Sequence, residues 1–278
     1  MDSTKEIAPT HKRAKKRLSQ NFLIDRNVAS KIVGTANISE GDRVIEVGPG
    51  RGMLTELIAS LKVELTCIEI DPALAKSLKE SFKGCSRVKV IEADALKFSF
   101  VDLKGKSEKR FKFISNLPYN ISGPMLAKLI DEREVFSSLH LMFQKEVALR
   151  IVAGPGSKAY GSLSVLAQTY MDTRLEFDIP PHLFRPIPKV DSTLISLEVL
   201  DAPRVEVKNE EFYKRVVRCA FNQRRKTLAN SLKALCPDKE KVLSALEASH
   251  IEPGRRGETL RLEEFSALAA KLEEECGS

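Results

Sequence analysis

The chain contains 278 residues, of which 42% are hydrophobic and 30% charged, a composition ordinary for a globular protein with one large and one small domain. Its formal charge of +7 favours a polyanionic partner, and no apolar run is long enough to cross a membrane. The five cysteines include no Cys-x-x-Cys pair and the four histidines lie far apart. We therefore expect neither a disulfide framework nor a metal site, and we expect a reducing cytoplasm.

Strand-like and helix-like segments alternate over most of the chain. Residues 1–17 are polar and basic, with Lys-Arg-Ala-Lys-Lys-Arg at 12–17, and predict a flexible arm. Beyond them, helical patterns separate most of the short apolar runs, which lie at 43–47, 63–69, 88–93, 111–115 and 139–143. This alternation predicts an α/β fold with a mainly parallel sheet and helices on both of its faces.

The later part of the chain changes character. Two further strand candidates, near 173–179 and 194–200, predict a hairpin that is joined by a proline-rich segment and adds an antiparallel edge, which makes seven strands in all. After about residue 205 we predict only helices, at 210–221, 224–235, 239–249 and 260–275. The predicted organisation is therefore an arm at 1–17, an α/β domain at 18–204 and a small all-helical domain at 205–278.

Residues 46–52 read Glu-Val-Gly-Pro-Gly-Arg-Gly and join a buried strand to a helical pattern. Glycines let the backbone turn sharply and approach a ligand closely, and the start of a helix adds N–H donors. The third glycine comes one residue earlier than in a dinucleotide fingerprint, and no Gly-Lys-Ser/Thr follows as it would in a P-loop. The spacing predicts a site for a nucleotide-like cofactor; a tight turn without a ligand is the alternative.

Acidic residues end the next two strands. Glu69 lies about 20 residues beyond the glycines, where an acid suits a ribose diol. Asp71 directly precedes Pro72 and is better placed to cap the following helix. Asp94 could accept a hydrogen bond from an adenine amino group, and a capping role is equally compatible with its position. Because the carboxyl ends of parallel strands meet at one edge of a sheet, we expect these acids to converge.

The fourth strand candidate leads into Asn116-Leu117-Pro118-Tyr119. The amino group of adenine is a poor nucleophile because its lone pair is delocalised into the ring. The Asn116 side-chain oxygen and the Leu117 carbonyl could accept its two hydrogens and turn the lone pair out of conjugation, while Tyr119 stacks on the base. Beside the glycine turn, this segment predicts methyl transfer to the amino group of a base, with positioning as the main catalytic effect. An ordinary Asn-Pro turn is the alternative.

The chain at this point resembles the ribosomal RNA adenine dimethyltransferases. The resemblance covers about residues 12–265 and rests on seven ordered segments: 20–23, 46–52, 69–71, 94–96, 116–121, 184–192 and 220–228. It implies a Rossmann-like domain that uses S-adenosylmethionine, a small helical C-terminal domain, and dimethylation of two adjacent adenosines in a hairpin near the 3′ end of 16S-type small-subunit rRNA.

The same resemblance implies roles for individual residues. Asn21 and Leu23 would border the cofactor. Gly48 would contact its methionine part, Glu69 its ribose and Asp94 its adenine. Asn116 would face both the methyl donor and the target amine, and Tyr119 and Phe184 would form the two walls of the base pocket. Residues 12–17 and the run Arg224, Arg225 and Lys226 could hold rRNA phosphates; a solvated charged surface is the alternative. The partner expected is small-subunit rRNA, and the protein is expected to be monomeric, cytoplasmic and not membrane-bound.

Three rival functions follow from the same motifs. A large-subunit rRNA methyltransferase would share the core, but the segment 221–228, reading Phe-Asn-Gln-Arg-Arg-Lys-Thr-Leu, favours the small-subunit type. A protein that only binds and checks assembling ribosomes would not need an intact Asn116 and Tyr119, while a dual role in methylation and checking stays open. A nicotinamide-dependent dehydrogenase is disfavoured by the glycine spacing.

Overall fold

The computed structural model describes residues 20–223 and 225–276. The strands in this part of the chain are β1 (Phe22–Leu23), β2 (Arg43–Val47), β3 (Glu64–Glu69), β4 (Val88–Glu92), β5 (Phe111–Asn116), β6 (Phe136–Gln144), β7 (Met171–Ile179), β8 (Phe184–Arg185) and β9 (Ser192–Val199). The α-helices are α1 (Arg26–Thr35), α2 (Met53–Ala59), α3 (Pro72–Ser81), α4 (Phe100–Lys104), α5 (Ser122–Asp131), α6 (Lys145–Ile151), α7 (Ser162–Tyr170), α8 (Glu210–Asn222), α9 (Leu228–Ser231), α10 (Lys239–Ala248) and α11 (Leu262–Cys276).

Seven of these strands form one sheet, in the order β4-β3-β2-β5-β6-β9-β7. The pairs from β4 to β6 are parallel, and β9 runs antiparallel to both β6 and β7. This confirms the predicted α/β class and the hairpin. The antiparallel strand, however, is not at the edge as we expected, because β9 inserts between β6 and β7. The strand order reverses between β2 and β5, and such a switch point opens a crevice at the carboxyl ends of the strands.

Each face of the sheet buries its own apolar cluster. On one face, Phe100, Phe113 and Phe136 pack edge to face, with ring centroids 5.4 to 5.8 Å apart. This cluster continues without a break into the helical region, where it includes Val216 and Phe265. The domain limit near residue 205 thus remains a prediction, since one continuous core spans it. The other face packs against α1 and α2.

The helical region departs from the predicted pattern at one segment. Instead of a helix over 224–235, the described residues form the single-turn α9 followed by a 3-10 helix at Leu232–Ala234. The backbone at Thr227 is extended, and the Leu228 N–H donates to the Arg255 carbonyl at 2.8 Å. A backbone bond to a distant loop therefore replaces the helix that the periodicity favoured.

A disulfide joins Cys236 to Cys276, which lie 40 residues apart in sequence. Our expectation that the cysteines would be unpaired was wrong for these two, because the end of α11 returns to the segment that follows the 3-10 helix. Cys67, Cys85 and Cys219 are free thiols. Across the described ranges, no helix is both long and apolar enough to cross a membrane.

Candidate active site

An open cleft lies at the carboxyl ends of β2 to β5, at the switch point of the sheet. It is lined by residues 20–23, 46–51, 53–54, 68–70, 93–96 and 116–121. These include every predicted cofactor residue together with Leu117 and Tyr119. The structure thus brings together six ranges that the sequence spreads from residue 20 to residue 121, as expected for parallel strands that end at one edge.

The glycine turn has a backbone that other residues would not tolerate. Gly48, Gly50 and Gly52 have φ angles of +66°, +58° and +87°, in the left-handed region that side chains disfavour. A Cβ on Gly50 would lie 2.9 Å from the ring of Phe22, and a Cβ on Gly48 would enter the gap between this turn and the Asn116–Pro118 segment. The turn therefore keeps open the space that a ligand would need between the two motifs.

Glu69 is almost fully buried and holds the glycine turn in place. Its two carboxylate oxygens accept hydrogen bonds from the Gly50 N–H at 3.1 Å and the Asp71 N–H at 2.9 Å. Burial is the main reason why its pKa is raised, although these backbone donors lower it. Each oxygen keeps a further acceptor site, so a ribose contact remains compatible with this structural role. Asp71 caps α3 through the Ala73 N–H, which confirms the role we preferred for it.

Glu46, the first residue of the glycine motif, is a feature that the sequence reasoning missed. It lines the cleft from a fully buried position, where Thr55 Oγ1 donates to it at 2.7 Å. Burial raises its pKa to about 7, the charge of Glu69 adds to this rise, and the hydrogen bonds from Thr55 and Cys67 oppose it. The cleft thus holds a carboxyl group that changes charge near neutral pH.

Asp94 caps a turn and lines the cleft, while its contact with an adenine amino group stays a prediction. One carboxylate oxygen, Oδ1, accepts from the Leu96 N–H at 3.0 Å, as a turn cap does. The same residue also lines the cleft. The capping bond orients the carboxylate and leaves its second oxygen as a further acceptor for a ligand.

The Asn116–Tyr119 turn is fixed by partners from distant parts of the chain. The Asn116 Nδ2 donates to the Asn21 carbonyl at 3.0 Å, so the oxygen is the end of the amide that is available as an acceptor. Leu117 is 1% exposed, belongs to the core and also lines the cleft. The Tyr119 hydroxyl shares a 2.6 Å hydrogen bond with Ser192 Oγ. Ser192, at the end of the late segment 184–192, is a second residue that we had not singled out.

Among the predicted residues that the structure describes, Phe184, Arg225 and Lys226 do not line the cleft. Phe184 is 0% exposed and belongs to the second apolar cluster; it sits in β8, where its partner across the ladder is Leu23. In this conformation Phe184 has no free face on which a base could stack, contrary to our expectation of a second pocket wall. Arg225 and Lys226 are exposed in the turn after α8. Arg224 and the arm at 1–17 lie outside the described residues.

The hydrogen-bond acceptors and donors of the cleft match the parts of a nucleoside cofactor. The carboxylates of Glu69 and Asp94 suit a ribose diol and amino groups. The glycine turn and the start of α2 supply backbone N–H groups. The cleft therefore offers acceptors for a nucleoside cofactor close to the Asn116 side-chain oxygen, which is available to accept from an amino group.

Comparison with known proteins agrees with this geometry. The family model described as ribosomal RNA adenine dimethylase matches residues 11–272. A ribosomal RNA small subunit methyltransferase A from Geobacter metallireducens is 45% identical over 263 residues, which are 94% of this chain and 96% of that protein.

Two solved structures share the architecture. A dimethyladenosine transferase from Plasmodium falciparum has a TM-score of 0.75 and 26% identity, over 91% of this chain and 98% of that one. A 23S rRNA methyltransferase has a TM-score of 0.67 and 28% identity, over 91% of this chain and all of that one. With the family model covering nearly its whole length, the chain belongs to the ribosomal RNA adenine dimethylase family.

Proposed function

We propose that this enzyme transfers methyl groups from S-adenosylmethionine to N6 of two adjacent adenosines in the 3′-terminal hairpin of 16S rRNA and so forms N6,N6-dimethyladenosine. The observation that carries the proposal is the convergence of the Asn116–Tyr119 turn and the glycine turn on one cleft. The family and its small-subunit relatives supply the substrate class.

The cofactor is held by residues whose chemistry matches its parts. When bound, S-adenosylmethionine supplies an electrophilic methyl group with a neutral thioether as the leaving group. Glu69 accepts from the ribose hydroxyls, Asp94 from the adenine amino group, and the backbone at Gly48 lies along the methionine part. Asn21 and Leu23 close the cleft from the side of β1.

The target amine is activated by two acceptors on a rigid turn. The Asn116 Oδ1 and the Leu117 carbonyl each accept one N6 hydrogen, which rotates the lone pair out of the adenine ring. Tyr119 stacks on the base, and its bond to Ser192 holds the ring at a fixed angle. Transfer then needs mainly correct positioning, and the N6 proton can leave afterwards because no strong base is required. After the first transfer, one hydrogen remains for either acceptor.

Binding of the small subunit involves charge outside the cleft. Arg224, Arg225 and Lys226 contact rRNA phosphates, and this contact makes affinity fall with salt. We also propose that the enzyme acts as a monomer in the cytoplasm. We propose assembly checking as a second function beside methylation. A variant that binds subunits but has lost catalysis would separate the two functions.

The decisive experiment compares rRNA before and after reaction. Undermethylated small subunits are incubated with the enzyme and labelled S-adenosylmethionine, and the 3′ hairpin is analysed by mass spectrometry. We expect up to two methyl groups on each of two adjacent adenosines. An Asn116→Ala variant should bind subunits and methylate nothing, while Asn27→Ala, an exposed asparagine on α1, should behave as wild type. No label in the 3′ hairpin, together with label in 23S rRNA when large subunits replace the small ones in a parallel reaction, would favour the large-subunit activity and overturn the proposal.

A further inference from the structure

A buried lysine connects the α/β part of the molecule to the helical part. Lys214, on α8, is only 3% exposed. Its Nζ lies 2.6 Å from a carboxylate oxygen of Asp131, 2.7 Å from one of Glu210 and 3.4 Å from one of Glu211. Burial alone would lower the pKa of Lys214, but the hydrogen bonds to Asp131 and Glu210 raise it, so the lysine is charged. A charge at such a site is stabilised only by partners held in good geometry.

A second ion pair reinforces the same junction. The Arg133 guanidinium donates two hydrogen bonds to Glu210, at 2.8 and 2.7 Å, and stacks 4.0 Å from the centre of the Tyr170 ring. Glu210 is thus shared between Arg133 of the α/β part and Lys214 of α8. Bidentate pairs of this kind fix orientation as well as distance.

Two helices meet at this junction. One of them, α5, begins beside the Asn116–Tyr119 turn, which we call the catalytic turn. The other, α8, ends beside the exposed Arg225 and Lys226, which we call the basic turn. α5 begins immediately after the catalytic turn, where Ser122 Oγ donates to the Tyr119 carbonyl at 2.9 Å, and it ends at Asp131. α8 begins at Glu210 and ends at Asn222, just before Arg225 and Lys226. At about 1.5 Å per residue, the helices span roughly 15 and 20 Å. The buried ion pairs at this junction, together with the apolar core that spans it, link the catalytic turn to the basic turn.

We propose that Lys214 is a positioning residue that helps to set the distance and angle between the catalytic turn and the basic turn at Arg225 and Lys226, so that one folded RNA surface reaches both. This inference rests on the proposed function, in which the partner is a folded small subunit. A flexible strand could adapt to any spacing of the two turns. A rigid particle would be bound well only when the spacing matches.

The test uses the full-length enzyme with a Lys214→Met substitution, which keeps an unbranched side chain one atom shorter and leaves Glu210 paired with Arg133. We expect KM for undermethylated small subunits to rise about tenfold, while kcat and the affinity for S-adenosylmethionine stay within about twofold. The matched control is Lys271→Met, which removes an exposed ion pair with Glu274 in the same region and should leave KM unchanged. A Lys214→Met enzyme with wild-type KM, or with equally weakened cofactor binding, would overturn the inference.

A double-mutant cycle separates positioning from simple loss of stability. Replacing Arg225 and Lys226 by alanine should weaken subunit binding less in the Lys214→Met background than in wild type, because the basic turn is no longer held in register. Purely additive losses would contradict the proposal.

If Lys214→Met does not fold, Asp131→Asn gives the same test in a milder form. Asp131 is 46% exposed, and Lys214 keeps Glu210, so we expect a KM increase of about threefold; no increase would again overturn the inference. Wild-type enzyme that fails to methylate small subunits would instead refute the proposed function itself.

Discussion

The buried carboxyl of Glu46 gives this protein a stability that depends on pH in a predictable direction. Its pKa is about 7 in the folded protein and 4.5 for an ordinary glutamate. We expect a Glu46→Gln substitution to remove this dependence. The glutamine oxygen can still accept from Thr55 Oγ1, which donates to Glu46 at 2.7 Å, so the packing and the hydrogen bond are kept while the titration is lost.

The direction of the pH dependence follows from whether the folded or the unfolded chain binds the Glu46 proton more tightly. Because folding raises the pKa, the folded protein keeps the Glu46 proton in a pH range in which the unfolded chain has lost it. The free energy of unfolding therefore falls as pH rises from about 4.5 to about 7, and it levels off above that value. The difference between the two pKa values corresponds to about 3 kcal/mol. As the pH rises from 4.5 to 8, the free energy of unfolding of the Glu46→Gln variant should increase relative to that of wild type by up to this amount.

Urea unfolding at pH 5, 6, 7 and 8 measures the effect. Circular dichroism is the suitable signal, since the chain contains no tryptophan. The matched control is Glu64→Gln, an exposed glutamate on the neighbouring strand β3, which should shift stability equally at every pH. Wild-type and Glu46→Gln curves that stay parallel across this range would refute the reasoning, and so would a Glu46 carboxyl that titrates near 4.5 by carbon NMR.

Three further outcomes are expected. Ser192→Ala leaves the half-buried Tyr119 hydroxyl without its partner, at a cost of about 1 kcal/mol. We therefore expect kcat/KM to fall about fivefold while the affinity for the cofactor stays unchanged. If Ser192→Ala lowers kcat/KM equally in a Tyr119→Phe background, this reasoning is contradicted. Gly50→Ala combines a φ of +58° with a contact 2.9 Å from the Phe22 ring and should weaken cofactor binding and lower Tm more than Gly84→Ala, which has a φ of +87° and open space around it. Reducing the disulfide that ties α11 to the segment after α9 should cost at most about 4 kcal/mol for a 40-residue separation, and five free thiols in the native protein would show that it does not form.

The parts of the site that the sequence predicted are those set by local chemistry. The strands at Arg43–Val47 and Phe111–Asn116 are short apolar runs, and each delivers its motif to the same sheet edge because parallel strands share a direction. The positive φ angles at the glycine turn follow from residue type, since only glycine adopts them freely. Asp71 as a helix cap could likewise be predicted from its place before Pro72.

The features that were missed depend on contacts between distant segments. Phe184 carries no local sign that its two-residue strand pairs with β1 and buries its ring. The pattern over 224–235 has helical periodicity, yet the Leu228 N–H bonds to the Arg255 carbonyl, and tertiary contacts override propensity there. The pairing of Cys236 with Cys276 has no spacing rule that would reveal it.

The catalytic turn shows why those distant contacts matter for the proposed chemistry. Asn116 is held by the Asn21 carbonyl, the preceding Ser115 donates to the Val47 carbonyl at 2.5 Å, and Tyr119 bonds to Ser192. Three segments far apart in sequence thus fix the turn before any substrate arrives. A reaction that relies on positioning needs its acceptors in place in advance, because ordering them during binding would cost part of the effect. The segments around residues 21, 47 and 192 contribute no reacting atom. Their positions are nevertheless important for the proposed reaction, because they hold the Asn116–Tyr119 turn in place.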